Sequence, residues 1–412
     1  MKILVVGKGG REHALALALS KSPLCTELYC APGNPGMEQI AKCVNISDED
    51  VEALKDFALE NQIDLTVVGP ESSLAAGIAN AFKEAGLQIF APSKEAAQVE
   101  SSKDFAKQLM KRHGIPTAGY ETFDAYEPAA QYVRKHGAPI VIKENGLKAG
   151  KGVTVATSVP EALEALEAAF EIEGNKVVIE EYLEGFEFSL IALVNGDLVV
   201  PLECAQDHKR VGDNDEGPNT GGMGSYSPVR AITDEMVSTT MDEIMIPMAK
   251  ALQEEGVPFT GFLYGGLMVT KDGIKTIEFN ARFGDPEAEV ILARLDSDFV
   301  QAILDVLEGR KPELKWNPQV AHGVVMASTG YPASSTKGAL IEGLSDLDED
   351  TLVFHMGTKN TDQGLVTDGG RVLMVVSLKD TLPEAMKQTY DDVAKVKSGE
   401  LFYRTDIGRK DL

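Results

Sequence analysis

Ile3-Leu4-Val5-Val6-Gly7-Lys8-Gly9-Gly10-Arg11-Glu12-His13 decides the fold. Four consecutive apolar residues read as a strand buried on both faces, the pattern of a parallel sheet covered by helices. The glycines after it make a tight turn, and the residues from about Glu12 to Ser20 continue as a helix. The same alternation runs on through a strand at Glu27 to Cys30, a helix near Val51 to Glu60, a strand at Leu65 to Val68, a helix near Leu74 to Ala85 and a strand at Gln88 to Phe90. A doubly wound parallel sheet follows. The turn is not a dinucleotide fingerprint, because its third glycine would fall at Glu12, and the second strand ends in Cys30-Ala31-Pro32 instead of an acidic residue. It remains a backbone-rich loop at a helix N-terminus. Gly9, Gly10 and Arg11 read either as a tight structural turn or as a site for a single phosphate, and phosphate binding is expected.

Beyond Gly114-Ile115-Pro116, which stops a helix over about Lys103 to His113, the pattern changes. From Glu121 to Leu193 it runs helix, strand, glycine loop, strand, helix, strand, compact enough for a separate lobe. The loop Gly146-Leu147-Lys148-Ala149-Gly150-Lys151-Gly152 lacks the spacing and the Ser/Thr of a P-loop, and strands flank it on both sides. It reads either as a surface hairpin or as one folding over phosphates, with Lys151 and Lys143 supplying charge. Residues 190–325 mix strands with longer helices, and short strands with glycine turns close the chain before a helix over about Leu382 to Val396.

The chain has 412 residues, enough for two to four domains, with 43% hydrophobic and 25% charged residues. That composition excludes collagenous and wholly disordered chains. A formal charge of −25 repels nucleic acid, so any phosphate ligand needs a locally basic pocket. No apolar run is long enough to span a bilayer, and Met1-Lys2 leads into a strand without signal-peptide features, so a cytoplasmic protein with no membrane partner is expected. Cys25, Cys30, Cys43 and Cys204 show no zinc spacing and read as core thiols.

The most informative stretch is Ile277-Glu278-Phe279-Asn280-Ala281-Arg282-Phe283-Gly284-Asp285-Pro286-Glu287. Strand alternation puts Glu278, Asn280 and Arg282 on one side and Phe279 on the other. Two hard oxygen donors suit magnesium completed by phosphate oxygens, and Arg282 suits a carboxylate or phosphate. Glu71, after Val68-Gly69-Pro70, lies at the carboxyl edge of the first sheet, where it either accepts from ligand hydroxyls or is a solvated turn. Glu180, Glu181, Tyr182 and Leu183, with Glu187 beyond, form a strand-to-loop hinge able to read an adenine edge and ribose hydroxyls. Asp207-His208-Lys209-Arg210 leads into a polar glycine loop from Gly217 to Gly224, in which His208 reads better as a hydrogen-bonding spacer than as a base.

In this order, Gly9 to Ala14, Val68 to Glu71, Ala149 to Gly152, Gln206 to Arg210, Gly217 to Gly224, Phe279 to Pro286, Gly369 to Leu373 and Phe402 to Gly408 resemble the phosphoribosylamine–glycine ligase (glycinamide ribonucleotide synthetase) family of ATP-grasp enzymes nearly end to end. Lys8, Glu144, Asn145, Lys148 and Phe186 depart from the family pattern without removing an inferred phosphate or metal ligand. The resemblance implies a multidomain α/β protein with the ATP-grasp fold: an N-terminal doubly wound domain over 1–102, a central catalytic domain over 103–120 and 193–325, a small lid lobe over 121–192 and a C-terminal α/β domain over 326–412. It implies ATP-dependent joining of glycine to phosphoribosylamine in purine biosynthesis by a monomer, with another carboxylate–amine ligase or a nucleotide sensor as alternatives. ATP would be held by Lys103, Lys143, Gly150, Lys151, Gly152, Glu180, Glu181, Tyr182, Leu183, Glu187 and Lys209, and Mg2+ or Mn2+ by Glu278 and Asn280. The two substrates would be held by Gly9, Gly10, Arg11, Glu71, Asp207, Asn219, Thr220, Gly221, Gly222, Met223, Arg282 and Asp285. Arg282, Lys151 and Asp207 would act in catalysis, with Asp207 receiving the glycine ammonium.

Overall fold

A computed structural model describes residues 1–148 and 152–412. The N-terminal sheet has five parallel strands in the order Lys42–Cys43, Glu27–Pro32, Lys2–Gly7, Leu65–Val68 and Ile89–Phe90. Ile3, Leu4, Val5 and Val6 are fully buried, as a strand covered on both faces requires. The helix expected from Leu74 to Ala85 is two helices, Glu71–Ala75 and Ile78–Glu84, because Gly77 between them adopts φ +87°, a left-handed conformation that ends the first. Helix Lys103–His113 leaves this domain, with the Ser102 hydroxyl accepting from Phe105 N–H at its start and Gly114 at φ 66° closing it.

The lobe that follows is an antiparallel sheet ordered Tyr120–Phe123, Val177–Glu181, Ile140–Glu144, Val153–Ala156. Helices Tyr126–His136 and Val159–Phe170 contribute Ala129, Val133, Ala162 and Leu166 to a small core with Ile140, Ile142 and Ile179. The loop from Gly146 joins the antiparallel pair Ile140–Glu144 and Val153–Ala156, a hairpin as its flanks suggest. Ala149, Gly150 and Lys151 lie outside the described residues, and with them the expectations placed on Gly150 and Lys151.

Three of the expected boundaries fall inside strands, the one after residue 120 dividing Tyr120–Phe123. Phe186–Asn195 is one ten-residue strand that pairs along its whole length with Thr260–Thr270, so it belongs to the central sheet ordered Leu198–Pro201, Phe186–Asn195, Thr260–Thr270, Gly273–Asn280. Val320–Ser328 likewise crosses residue 326 as the middle of the C-terminal sheet, flanked by Arg371–Lys379 and Gly224–Ser227. The short strands Gln206–Asp207 and Gly224–Ser227 thus lie at the edge of the C-terminal sheet. Gly224 makes this approach possible, since a Cβ there would sit 2.6 Å from the Gly323 carbonyl.

Aromatic rings tie the first sheet to the central one. Phe262 lies 5.0 Å from Phe90 and 5.0 Å from Phe283, edge-on or tilted to each, and all three are buried. Replacing Phe262 with alanine should cost about 3–5 kcal/mol of stability, read as a lower urea midpoint. An unchanged midpoint would show that the ring carries little of the contact between the sheets.

Candidate active site

The lobe, the central sheet and both terminal domains enclose one cleft of about 700 Å³. One charged wall is the strand Gly273–Asn280 and the turn after it. Glu278 and Asn280 of the strand and Arg282 of the turn line the cleft, and the largely buried Phe279 and the neighbouring Ile277 contribute to the same wall. A bulge at Ile277 puts Glu278 opposite Gly266 and Thr276 opposite Leu267, which re-aims the end of the strand toward the cleft. Burial would raise the Glu278 carboxyl, but Lys209, Lys143 and Lys103 outweigh it and hold the group below its usual range. Lys209 lies 3.8 Å from Glu278 and 3.7 Å from Glu187, bridging two carboxylates. Among the described residues no three His, Cys, Asp or Glu side chains converge on a point that would hold a metal. An anionic Glu278 beside the Asn280 amide fits a hard divalent cation whose remaining sites are filled by phosphate oxygens and water.

Part of the cleft wall is apolar, beside the buried group of Glu180, Lys107 and Lys143. Met110, Val141, Val155, Leu183 and Met268 line it, and the hinge Glu180 to Leu183 forms one edge. Lys143 Nζ lies 2.9 Å from Glu180 Oε1 and donates to the Ile277 carbonyl at 3.0 Å. Lys103 Nζ donates to the Gly146 carbonyl at 2.9 Å, fixing the base of the hairpin to the linking helix. The Glu181 carboxylate turns away to accept from Gly119 N–H at 3.0 Å and Lys275 Nζ at 3.1 Å. These bonds hold it below the usual carboxylate range, the Gly119 bond foremost.

Arg282 is oriented before any ligand arrives. Its Nη2 lies 3.0 Å from Glu100 Oε1 and its Nε 3.6 Å from Glu71 Oε2, while Glu100 also accepts from Ala281 N–H at 2.8 Å. Burial works against the Glu71 carboxylate, yet Arg282 and Arg11 draw it down to about 2. Across the cleft, Asp207 Oδ1 is buried without a hydrogen-bond partner, and burial with Glu287 nearby raises this carboxyl well above its ordinary value. A buried acceptor without a partner is one that a ligand's donor can satisfy. Glu287 itself is satisfied by the Ser189 and Tyr264 hydroxyls at 2.8 and 3.0 Å.

The glycine loop is built against these groups. Gly222 has φ +118°, and a Cβ there would meet Pro286 Cδ at 2.4 Å and Asp207 Oδ1 at 2.6 Å. Arg371, reaching in from the C-terminal sheet, donates to the Gly221 carbonyl at 3.0 Å and pairs with Asp285 Oδ1 at 3.0 Å. Asn219, Thr220, Gly221 and Asp285 line the cleft. Met223 does not: its side chain is fully buried in the C-terminal core with Val324, Val372 and Ile407, because the edge-strand register turns it inward. His208 is buried, accepts from Gly408 N–H at 3.2 Å, and burial lowers it to about 3, so it acts as a structural spacer.

The N-terminal loop divides in a similar way. Arg11 lines the cleft wall, its Nη2 3.8 Å from Glu71. Gly9 and Gly10 do not reach that wall. Glu12 takes the Gly9 N–H at 2.6 Å, and the first turn at Gly10 packs on Glu289, so the donor expected for a ligand phosphate is occupied.

Sequence reading passed over four residues that the fold brings into the site: Glu100, Lys107, Glu287 and Arg371. Lys107 stands one helical turn after Lys103 on the same face, which is a usable signal. Glu287 ends the stretch that carries Glu278, and Arg371 sits in a quoted block without an assigned role. Nothing local marks Glu100.

No helix is long and apolar enough to cross a membrane among the described residues. Residues 1–100 match the family described as Phosphoribosylglycinamide synthetase, N domain, residues 101–288 its ATP-grasp (A) domain, and residues 321–410 its C domain. A protein of Halalkalibacterium halodurans named phosphoribosylamine–glycine ligase is 53% identical, the alignment covering 100% of this chain and 97% of that one. Its namesake in Lactococcus lactis is 48% identical with 100% of both chains covered. The solved structure of a phosphoribosylamine–glycine ligase from Thermotoga maritima superposes with a TM-score of 0.87 at 34% identity, covering 99% of this chain and 100% of the other. Biotin carboxylase from Campylobacter jejuni, with a TM-score of 0.74 at 15% identity over 97% and 92% of the two chains, shares the fold.

Proposed function

The chain belongs to the phosphoribosylglycinamide synthetase family, and from that membership we propose that it is an ATP-dependent ligase joining glycine to phosphoribosylamine in purine biosynthesis, a cytoplasmic monomer. A carboxylate is inert to amines until one of its oxygens becomes a leaving group. Glycine's carboxylate oxygen attacks the γ-phosphorus of ATP, giving glycyl phosphate and ADP. The amine of phosphoribosylamine then attacks the acyl carbon and expels phosphate. The observation that carries this reading is the convergence of Glu278, Asn280 and Arg282 on one cleft wall facing Lys103, Lys143 and Lys209. Such chemistry asks for positioning and charge neutralisation, and for no enzyme nucleophile.

Each part of the cleft has a task. Lys103, Lys143 and Lys209 neutralise the triphosphate, together with Gly150, Lys151 and Gly152 of the hairpin. The Glu180 to Leu183 hinge takes the base and Glu187 the ribose. Glu278 and Asn280 hold Mg2+ or Mn2+, which when bound offsets the charge that shifts on the phosphates. Arg282 presents its planar fork to the glycine carboxylate, Asp207 receives the ammonium, and the Asn219 to Gly222 backbone, braced through Arg371 and Asp285, closes around the α-carbon. Arg11 and Glu71 hold the phosphoribosyl part, with Gly9 and Gly10 shaping the turn that carries Arg11.

Glycine labelled with oxygen-18 in its carboxylate tests the sequence of steps. One labelled oxygen should appear in each released phosphate, and unlabelled phosphate would rule out the acyl phosphate. Arg11→Ala should raise the KM for phosphoribosylamine about ten- to a hundredfold through loss of a charge-assisted contact, leaving the constants for ATP and glycine near normal. A rise confined to ATP would move Arg11 to the other ligand.

A further inference from the structure

We infer that Cys30 and Cys43 form a reversible thiol–disulfide pair: hydrogen peroxide oxidises Cys43, and Cys30 closes the disulfide before that sulfur is oxidised further. The pair lies at the edge of the first sheet, and neither sulfur lines the cleft.

Strand Lys42–Cys43 runs parallel to Glu27–Pro32 in a register that sets Cys43 directly beside Cys30. Paired residues of neighbouring strands point to the same face about 4.7–4.9 Å apart, within the roughly 4.4–6.8 Å between Cα atoms that a disulfide spans. The adjoining glycine reports how close the side chains come. A Cβ on Gly33 would sit 3.2 Å from the Cβ of Cys30, 3.2 Å from the Cβ of Cys43 and 2.4 Å from Cys43 Sγ. Both side chains therefore converge on the bare face of Gly33. Lys42–Cys43 is a two-residue strand with a neighbour on one side, so it can shift as a bond forms.

The two sulfurs are unequal. Cys30 is fully buried, whereas Cys43 is half-buried and open to a small oxidant. Hydrogen bonding from Cys30 draws the Cys43 thiol below its ordinary range, with the Asn34 N–H adding to it while burial and Glu38 oppose. The same contact, and then burial, push the Cys30 thiol up. The thiolate is the reactive form, so Cys43 meets the peroxide and Cys30 resolves it. The Cys43 thiolate attacks one peroxide oxygen and breaks the O–O bond, becoming a sulfenic acid as hydroxide leaves. The Cys30 sulfur then attacks the Cys43 sulfur, the S–O bond breaks, and the departing hydroxide takes the Cys30 proton as water. Two thiols and one peroxide thus give one disulfide and two waters, and a dithiol reverses the change. Cytosolic disulfides are usually of this transient kind. Without a resolving thiol, a bulky anionic sulfinate would form against Gly33 and displace the turn whose Asn34 donates to the Lys8 carbonyl at 2.8 Å and the His355 carbonyl at 2.9 Å.

Full-length protein, reduced and then freed of reductant, is treated with hydrogen peroxide and its mass read intact and after digestion. The wild type should lose two hydrogens, yield a peptide pair linked from Cys30 to Cys43, and return to its first mass with dithiothreitol. Before peroxide, iodoacetamide should label Cys43 at least about tenfold faster than Cys30. Cys30→Ala should carry Cys43 on to the sulfinic acid, which dithiothreitol does not reverse, and Cys43→Ala should leave Cys30 a thiol. The wild-type measurement decides alone should either variant fail to fold. A sulfinic acid at Cys43 in the wild type, a link made from Cys25 instead, or retention of every thiol overturns the inference.

Discussion

Glu278→Gln should lower turnover by about two to three orders of magnitude while ATP still binds, because the change keeps the side chain's shape and removes the charge that anchors the metal. The wild-type carboxyl is half-buried and is held below its usual range by Lys209, Lys143 and Lys103. Those lysines are also the groups expected to meet the triphosphate, so Glu278 keeps the cluster from becoming uniformly positive. With glutamine there, ground-state attraction between lysines and phosphates survives or grows. Charge compensation at the shifting phosphoryl group does not. The loss should therefore fall on kcat more than on the KM for ATP. Stopped-flow measurement of ADP formation separates the two, and near-normal turnover would remove Glu278 from the metal site.

Gly222→Ala should cost about a hundredfold or more in kcat/KM for glycine, since a misplacement of about 1 Å near the reacting groups is enough to do so. A Cβ at this position would meet the rigid Pro286 ring at 2.4 Å and Asp207 Oδ1 at 2.6 Å. The proline cannot yield, so Asp207 and the loop backbone must. The φ of +118° adds strain that any L side chain would feel. About 1–3 kcal/mol of stability should be lost as well. Steady-state kinetics with a parallel urea titration checks both, and a variant with wild-type glycine kinetics would place the loop away from the substrate.

What the sequence made legible was local. Ile3 to Val6 announces a buried parallel strand because four apolar residues before a glycine turn have little other use. Glu278 and Asn280 share a face because strands alternate every two residues, and Arg282 joins them from the turn after the strand. The boundaries of the sheets were not legible, since Phe186–Asn195 and Val320–Ser328 owe their places to partners far along the chain. The site's supporting contacts hide for the same reason. Arg371 meets the Asp285 carbonyl across 86 residues, and Lys107 meets Glu180 from a different domain segment. Gly9 is the reverse case. Glu12, three residues on, is a local capping signal that predicts capture of its N–H, and it outcompetes the phosphate reading drawn from the same loop.

Cleavage of ATP to ADP here is tied to two particular substrates. ADP release measured with glycine and freshly made phosphoribosylamine, each omitted in turn and glycine replaced by alanine in a further arm, tests it most directly. ADP should accumulate at the full rate only when glycine and phosphoribosylamine are both present, with one phosphate and one glycinamide ribonucleotide formed per ADP. Equal ADP release without glycine, or with a different acid in its place, would contradict it.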